Sequence, residues 1–567
     1  NIFISQNTDM SKKLLLFFLF IVFIQIAKAQ NEFITVWKPS LPSYSSIGIP
    51  YNSNENQIWF PGKGTNYNIY WEEIGYPSHN ATILNLSSDY QILIDFGHPL
   101  NPTPSDATYR VKISNGNGNF DQIQFMSSQI INGNQTLGTV GDSYKIVNIE
   151  QWGNITWNSM QHAFNRCENL DITATDTPDL SEVNDMSNMF YNCHNLVGNP
   201  TINNWDISHV TSLVGTFNAC YLFNQPIGNW NTSNVTSMGA TFLMAQNFNQ
   251  PIGNWNTSQV KTTTSMFFYA LEFNQPIGTW DMSHNLQMEL MFVGAGQFNQ
   301  PIGNWNTSNV TDMHAMFQYA TNFNQDISAW NTGNVKLMRD MFFMAEQFNI
   351  NISNWNISNV KDMSNMFNGA KKFNQNIGGW DVSSVTNMSN MLNNAKAFNQ
   401  DLGNWKLNSL QIANNVIANT AINCQNYNNT LYGWSQNQSI SNNVNISPVS
   451  SLVYSTPQAA TARDYLMNYK GWTITGDTYN QECESHLGTS DIKTDSTISI
   501  YPNPATDLIY IKNTHAEQYA ILDLAGRVIL KGIPVNECIH IQTLTPGNYV
   551  LQLQSKDTVQ NLKFIKK

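Results

Sequence analysis

The chain has 567 residues, of which only 12% are charged, and its formal net charge is −12. This composition argues against a nucleic-acid-binding protein, because binding to the phosphate backbone needs patches of lysine and arginine that displace counterions. The length allows three or four domains, and asparagine, glutamine, serine and threonine supply the solvated surface that charged residues usually provide.

The first predicted element is a secretory signal peptide at residues 10–29. Lys12 and Lys13 precede a short apolar run, which ends at an A-x-A cleavage site formed by Ala27-Lys28-Ala29. A basic start, a short apolar stretch and small residues at the cleavage site are typical of such signals. We therefore expect an exported protein with no membrane span in the mature chain, since no other segment is long and apolar enough to cross a bilayer.

Residues 31–150 predict a β-sandwich-like N-terminal domain. Short runs rich in Ile, Tyr and Val at residues 69–71, 91–94 and 109–113 are separated by Pro, Gly and Asn. Such runs between turn-forming residues are typical of short strands.

The middle of the chain is a repeat with a period of 25 residues, marked by a tryptophan in each copy: Trp205, Trp230, Trp255, Trp280, Trp305, Trp330, Trp355, Trp380 and Trp405. Each copy then carries Val, Met, Met, Phe, Ala and Phe at fixed offsets from its tryptophan. A fixed period of this length predicts stacked units that bury their apolar faces against each other. A more widely spaced version of the pattern begins at Trp152, so we assign the repeats to residues 151–429.

The offsets predict one short helical turn in each repeat, because the spacings from Val to Ala form one apolar stripe. The following Phe-Asn-Gln-x-Ile phrase predicts a short strand. The expected fold class is therefore a mixed α/β repeat solenoid flanked by all-β sandwich domains. The asparagine after the second Phe recurs from Asn224 to Asn399, and we expect it to form a ladder of side-chain amides bonded to each other.

The phrase Trp-x-x-x-x-Val-x-x-Met-x-x-Met-Phe-x-x-Ala-x-x-Phe-Asn resembles that of BspA-like leucine-rich-repeat surface proteins. The resemblance covers roughly residues 150–430 of this chain. It implies an exported protein of the cell surface with an interaction role, and it implies no ligand and no catalytic residue.

Residues 430–487 predict a cap for the repeats, since an open end would expose Phe and Trp to water. Thr456 and Pro457 should open a helix that stops at Gly471, with an N-cap, a proline at the first position and a glycine after the end.

The last segment, residues 490–567, predicts a small antiparallel sandwich of strands between turns. Its phrases Tyr-Pro-Asn-Pro-Ala-Thr-Asp from Tyr501, Asp-Leu-Ala-Gly-Arg from Asp523 and Leu-Thr-Pro-Gly-Asn-Tyr-Val from Leu544 precede a basic end. In this order they resemble the C-terminal sorting domain of type IX secretion. The resemblance implies export across the outer membrane by that machinery, removal of the domain, and release or surface attachment.

The six cysteines suggest one disulfide. Cys167, Cys193 and Cys220 occupy the alanine position of their repeats, where parallel side chains keep the Cβ atoms too far apart to pair, so we expect free buried thiols. Cys424 and Cys483 flank the cap, and a disulfide between them suits an exported chain. No spacing fits a zinc site, and we expect no cofactor.

Two surface features are candidates for function. In one column, Glu289, His314 and Arg339 occupy the same position of consecutive repeats, with Asp312 two residues before His314. Stacking would bring Glu289 close enough to affect the pKa of His314, although an exposed line of mutually paired charges explains the same residues. The second feature is a set of apolar residues that cannot all lie on one buried face. We call this set the ridge, and its members are Leu243, Met244, Phe268, Tyr269, Tyr319, Phe343 and Met344.

Exposed apolar ridges mark interaction surfaces, although packing along the array or against a flanking domain would also explain the ridge. We expect a secreted or surface-attached, non-enzymatic binding or adhesion protein, whose partner is a protein or glycan on a host, cell or matrix surface. Two alternatives stay open: an exported polysaccharide-active enzyme, and a self-assembling matrix protein.

Overall fold

The computed structural model describes residues 31–43, 52–131, 134–481, 499–501, 503–512, 516–523, 526–535, 537–555 and 558–567. The chain divides into two compact units, residues 1–485 and residues 486–567. The predicted signal peptide at residues 10–29 and Cys483 lie outside the described residues.

Strands form the first part of the larger unit. They are β1 Phe33–Trp37, β2 Gln57–Phe60, β3 Gly62–Glu73, β4 Tyr76–Ser88, β5 Ile92–Asp95, β6 Tyr109–Ser114, β7 Asn119–Ile123, β8 Met126–Ile131, β9 Asn134–Thr139, β10 Ile146–Gln151 and the short β11 Asp171–Ile172. The main sheet has the order β11-β10-β1-β6-β3-β4, with β7 paired to β3. The three runs predicted as strands fall in β3, β5 and β6, so these predictions are confirmed.

This sheet continues directly into the repeats. Strand β10 pairs antiparallel with β1 and parallel with β11, which lies inside the first repeats. The ring of Phe33 in β1 stacks on Trp152 at 5.8 Å between centroids and meets Trp157 edge-on at 5.0 Å. The strands therefore cover the apolar rings that the start of a repeat array would otherwise expose to water.

The predicted fold class is wrong, because the repeats contain neither the helical turn nor the strand expected from the sequence. From residue 206 to residue 423 the chain forms turns joined by isolated parallel bridges, such as Thr262 with Gln287 and Gln287 with Asp312. The α-helices of the described residues are α1 Cys424–Gln436 and α2 Pro457–Asn468, and both follow the repeats. The remaining regular elements are strands in several small sheets and two 3-10 turns.

The hydrogen bonds explain why no helix forms. In an α-helix each N–H would donate to the carbonyl four residues earlier. Here the N–H of Phe242 donates to the carbonyl of Met266, in the next repeat, at 3.0 Å, while the N–H of Ala245 closes a tight turn on the Phe242 carbonyl at 3.0 Å. Alternate backbone groups therefore join neighbouring repeats, and the groups between them bond within their own turn.

The tryptophan column lies in the core, as the fixed period predicts. Successive indoles stack nearly parallel, with Trp230 and Trp255 centroids 6.2 Å apart at 2°. From Trp230 to Trp405, each indole N–H donates to a main-chain carbonyl of the preceding repeat, as Trp305 does to Ile277 at 3.1 Å. Trp305 is only 3% exposed. Ring stacking and the indole hydrogen bonds therefore hold neighbouring repeats together.

The asparagine column forms a ladder of a different kind from the one predicted. The side-chain oxygen of Asn274 accepts the backbone N–H of Asn299 at 3.0 Å and the side-chain N–H of Gln300 at 3.0 Å. The other asparagines of the column likewise accept the backbone N–H of the next repeat, and where a glutamine follows there they also accept its side chain; Asn324, opposite Ile350, accepts the backbone N–H alone. This arrangement supplies acceptors to backbone donors that no strand ladder pairs.

Helices α1 and α2 close the far end of the repeats. The indole of Trp434 in α1 donates to the Leu402 carbonyl at 2.9 Å, which repeats the bond that Trp405 makes with Ile377. Helix α2 begins at Pro457 with Thr456 as N-cap, as predicted. Two short strands, β12 Val453–Tyr454 and β13 Thr478–Tyr479, pair in parallel beside these helices.

The smaller unit contains two antiparallel sheets with their own apolar core. One sheet has the order β14-β15-β18 and the other β17-β16-β19-β20. The strands are β14 Ser499–Tyr501, β15 Leu508–Lys512, β16 Gln518–Leu522, β17 Val528–Gly532, β18 Cys538–His540, β19 Gly547–Ser555 and β20 Thr558–Lys566. Alternating strands between turns were predicted for this segment, and the prediction is confirmed.

Candidate interaction surface

Two positions of each repeat hold the backbone in the left-handed region, where most residues are disfavoured. They lie ten and fourteen residues after the tryptophan, as Ala315 at φ 53° and Tyr319 at φ 58° do after Trp305. A side chain other than glycine or asparagine costs free energy at such a position, because its Cβ crowds the following carbonyl oxygen. These positions create the sharp turns that replace the predicted helix.

The residues at the fourteenth position change along the chain. In chain order they are Ala219, Met244, Tyr269, Gly294, Tyr319, Met344, Gly369, Asn394 and Asn419, all with φ between 52° and 75°. The last three are residues that suit this backbone, whereas the central repeats hold tyrosine and methionine in four of five copies. Four members of the predicted ridge therefore occupy strained backbone positions.

Three of these four side chains also lie at the surface. Met244, Tyr269 and Tyr319 are 37%, 38% and 40% exposed, and Met344 is half-buried. Large apolar groups that remain in water give up the stabilisation that burial would provide. The central repeats thus combine a disfavoured backbone conformation with an unfavourable exposure at the same position.

Glycines of the next repeat leave space for the side chains of Tyr269 and Met344. A Cβ on Gly294 would lie 3.0 Å from ring atoms of Tyr269, so the tyrosine ring rests over the glycine of the next repeat. Met344 lies over Gly369 in the same way. Tyr319 instead meets the ring of Phe343 edge-on, at 5.3 Å between centroids.

The other predicted members of the ridge are partly covered. Leu243, Phe268 and Phe343 are half-buried, and the rings of Phe268 and Tyr269 are 5.0 Å apart. Leu271, which is 39% exposed, follows Tyr269 closely in the chain and was not among the predicted site residues. The left-handed backbone was also missed, although asparagine at the tenth position in three successive repeats (Asn365, Asn390, Asn415) signals it.

In the charged column, the described residues show no hydrogen bond or ion pair between Glu289 and His314. Nδ1 of His314 lies 2.8 Å from Oδ1 of Asp312, within the same turn. Glu289 instead accepts the hydroxyl of Thr264 at 2.8 Å, and its other carboxylate oxygen is shielded without a partner among the described residues. Burial alone would raise the pKa of Asp312, but the hydrogen bonds and charge of His314 lower it overall.

The cysteines of the first repeats are free and buried, as predicted. Sγ of Cys193 donates to the Phe164 carbonyl at 3.1 Å, and Sγ of Cys220 donates to the Phe190 carbonyl at 3.0 Å. Burial raises the pKa of both thiols, which makes them inert. Cys424 is disulfide-bonded, and its pairing with Cys483 stays a prediction because Cys483 lies outside the described residues.

Within the described ranges no group of three or more His, Cys, Asp or Glu side chains could hold a metal ion. None of the helices described has the length and apolar character needed to span a bilayer. The molecule is a repeat protein whose central repeats carry exposed aromatic and apolar side chains.

Two known families match parts of the chain. Residues 158–278, 265–364 and 322–434 match the family described as "Mycoplasma protein of unknown function, DUF285". Residues 499–567 match the family described as "Secretion system C-terminal sorting domain". No curated protein matches the chain. The sorting domain marks a chain exported by type IX secretion, so this is a secreted or outer-membrane-attached protein of the cell surface.

Proposed function

We propose that this protein is a non-enzymatic binding or adhesion protein that contacts its partner through the ridge of the central repeats. The observation that supports the proposal is that Met244, Tyr269 and Tyr319 keep large, mainly apolar side chains exposed to water at left-handed backbone positions. Backbone strain that persists without a stabilising role is a reason to infer function.

The chemistry of the ridge suits a contact surface. Tyrosine offers a large apolar ring together with a hydroxyl, and aromatic anchors of this kind dominate the energy of many interfaces. The surrounding repeats carry mostly asparagine, glutamine, serine and threonine, which would give the polar rim of such an interface.

The proposal includes the relationship to BspA-like leucine-rich-repeat surface proteins. The recurring Trp, Val, Met, Phe, Ala and Phe-Asn positions support this relationship, and the repeated match to one surface-repeat family is in keeping with it. The expected partner is a protein or glycan on a host, cell or matrix surface.

The test uses a double variant, Tyr269→Asn with Tyr319→Asn. Asparagine suits the left-handed backbone, so the variant removes both exposed rings without straining the turns. The wild type and the variant would be applied to glycan and protein arrays, and affinities for the array hits measured by surface plasmon resonance. We expect affinity to fall by about tenfold or more, which corresponds to about 1.4 kcal/mol.

Tyr479→Asn is the matched control, because Tyr479 is exposed but lies in β13, outside the repeats. Equal binding by the folded double variant and the control would contradict the role of the ridge. Release of reducing sugars from an array glycan, lost on His314→Ala, would favour the enzyme instead. Concentration-dependent oligomers in sedimentation without added ligand would favour self-assembly.

A further inference from the structure

Helices α1 and α2 of the cap enclose an open cleft that the repeats do not share. Its volume is about 560 Å³, and its lining includes Tyr432, Gln436, Gln458, Thr461 and Tyr465. This volume falls within the range of small-molecule sites in proteins, roughly 300–1,000 Å³. Clefts between packed helices are also among the places where such sites occur.

The lining comes from one stripe on each helix. Tyr432, Ser435 and Gln436 are three and four residues apart on α1, and Gln458, Thr461 and Tyr465 follow similar spacing on α2. Residues with these spacings share one helix face. Two tyrosine rings therefore line the same cleft, surrounded by amide and hydroxyl groups.

The two helices are held in place from their other faces. The guanidinium of Arg463 makes two bonds of 2.8 Å to the Asp477 carboxylate, and that carboxylate also accepts the Tyr427 hydroxyl at 2.9 Å. The indoles of Trp434 and Trp472 pack at 5.6 Å between centroids. These contacts hold the two helices against the rest of the cap.

Among the residues that the structure describes, no charged side chain lines the cleft. The ammonium of Lys470 donates to the main-chain carbonyl of Gln438 at 3.0 Å, and the Lys470 side chain is not part of the lining. An anionic ligand would need lysine or arginine, and a cationic ligand would need carboxylates. The side-chain amides of Gln438 and Gln458 have no partner among the described residues, and they can both donate and accept.

We infer that this cleft binds an uncharged oligosaccharide. The rings of Tyr432 and Tyr465 would pack against the C–H faces of sugar rings, and the amides and hydroxyls would exchange hydrogen bonds with sugar hydroxyls. Tyr432 is 48% exposed, so its ring is accessible to a ligand. This site is separate from the ridge, and its test does not depend on the ridge.

The experiment measures binding of neutral hexasaccharides (cellohexaose, laminarihexaose and mannohexaose) to the purified full chain by isothermal titration calorimetry. Hexagalacturonate serves as the charged probe. Decaproline represents a polyproline peptide, because such peptides also bind grooves lined by aromatic side chains. We expect at least one neutral hexasaccharide to bind and the other two probes not to bind.

The variants Tyr432→Ala and Tyr465→Ala should each weaken hexasaccharide binding by about tenfold or more, whereas Tyr432→Phe and Tyr465→Phe, which keep the rings, should stay within about threefold of wild type. Tyr479→Ala should bind as the wild type does. Absence of binding by all three hexasaccharides, equal affinity in the alanine variants, or preference for decaproline would overturn the inference. Equal loss in the alanine and phenylalanine variants would also overturn it, because ring packing would then not be the cause.

Discussion

Within the repeats, residue type varies differently at two kinds of position. We call the buried columns inner, and the left-handed positions ten and fourteen residues after each tryptophan outer. Inside, the same residue recurs in copy after copy, and the tryptophan rings stack within a few degrees of parallel. Outside, the backbone conformation recurs as regularly, with φ near 55° in Ala240, Tyr269 and Asn390, but the residue that adopts it changes.

This difference distinguishes positions where packing fixes the residue type from positions where packing allows several residue types. An inner position has a close neighbour in the repeats before and after it, so a change of size creates a cavity or a clash. A left-handed position requires that the residue tolerate the turn, which asparagine and glycine do best. Tyrosine and methionine at such a position are therefore not explained by the stability of the array.

The largest expected effect tests the inner columns. Trp305→Ala removes a side chain that is 3% exposed and the bond from its indole to the Ile277 carbonyl. The free energy of unfolding should fall by about 3–5 kcal/mol, measured by urea denaturation. Tyr469→Ala, at a highly exposed tyrosine of the cap, should change it by less than about 0.5 kcal/mol. A wild-type unfolding curve for Trp305→Ala would refute the packing assignment.

An intermediate effect is expected for the asparagine column. Asn299 accepts the backbone N–H of Asn324 at 3.0 Å and the side chain of Gln325 at 3.0 Å. Asn299→Ala leaves both donors without that acceptor and should cost about 1–2 kcal/mol in the free energy of unfolding. Asn322→Ala is the control, since its side chain makes one contact of 3.5 Å. Equal costs at the two sites would show that the column is not a structural ladder.

The smallest expected effects come from two substitutions within one repeat, one at a left-handed position and one in the core. They should change the free energy of unfolding in opposite directions. Ala240 has φ 54°, whereas Ala245 is fully buried and is not left-handed. Ala240→Gly should raise the free energy of unfolding by about 0.5–1 kcal/mol, because it removes strain. Ala245→Gly should lower it by about 1 kcal/mol, because glycine loses more chain entropy and leaves space. Thermal unfolding of both variants gives the signs, and a loss at Ala240 would contradict the strain argument.

The sequence by itself determined the period of the repeats, the burial of the Trp305 column and the start of helix α2. It also determined the strands at residues 69–71 and 109–113 and the identity of the sorting domain. These features depend on recurrence, on capping residues or on local alternation, all of which are visible along one chain. The same recurrence marked the cysteines at the alanine positions as buried, since a column shares one environment.

Only the tertiary structure decided the backbone within each repeat. The spacing of Val, Met, Phe and Ala suits a helical stripe, but it suits a chain of tight turns equally well, because both bring residues three apart to one side. The choice depends on whether the N–H of Phe242 bonds within its turn or to Met266 in the next repeat. Stacking makes the second bond available, so the left-handed turns and the exposed positions of Tyr269 and Tyr319 follow from contacts between repeats that no single repeat contains.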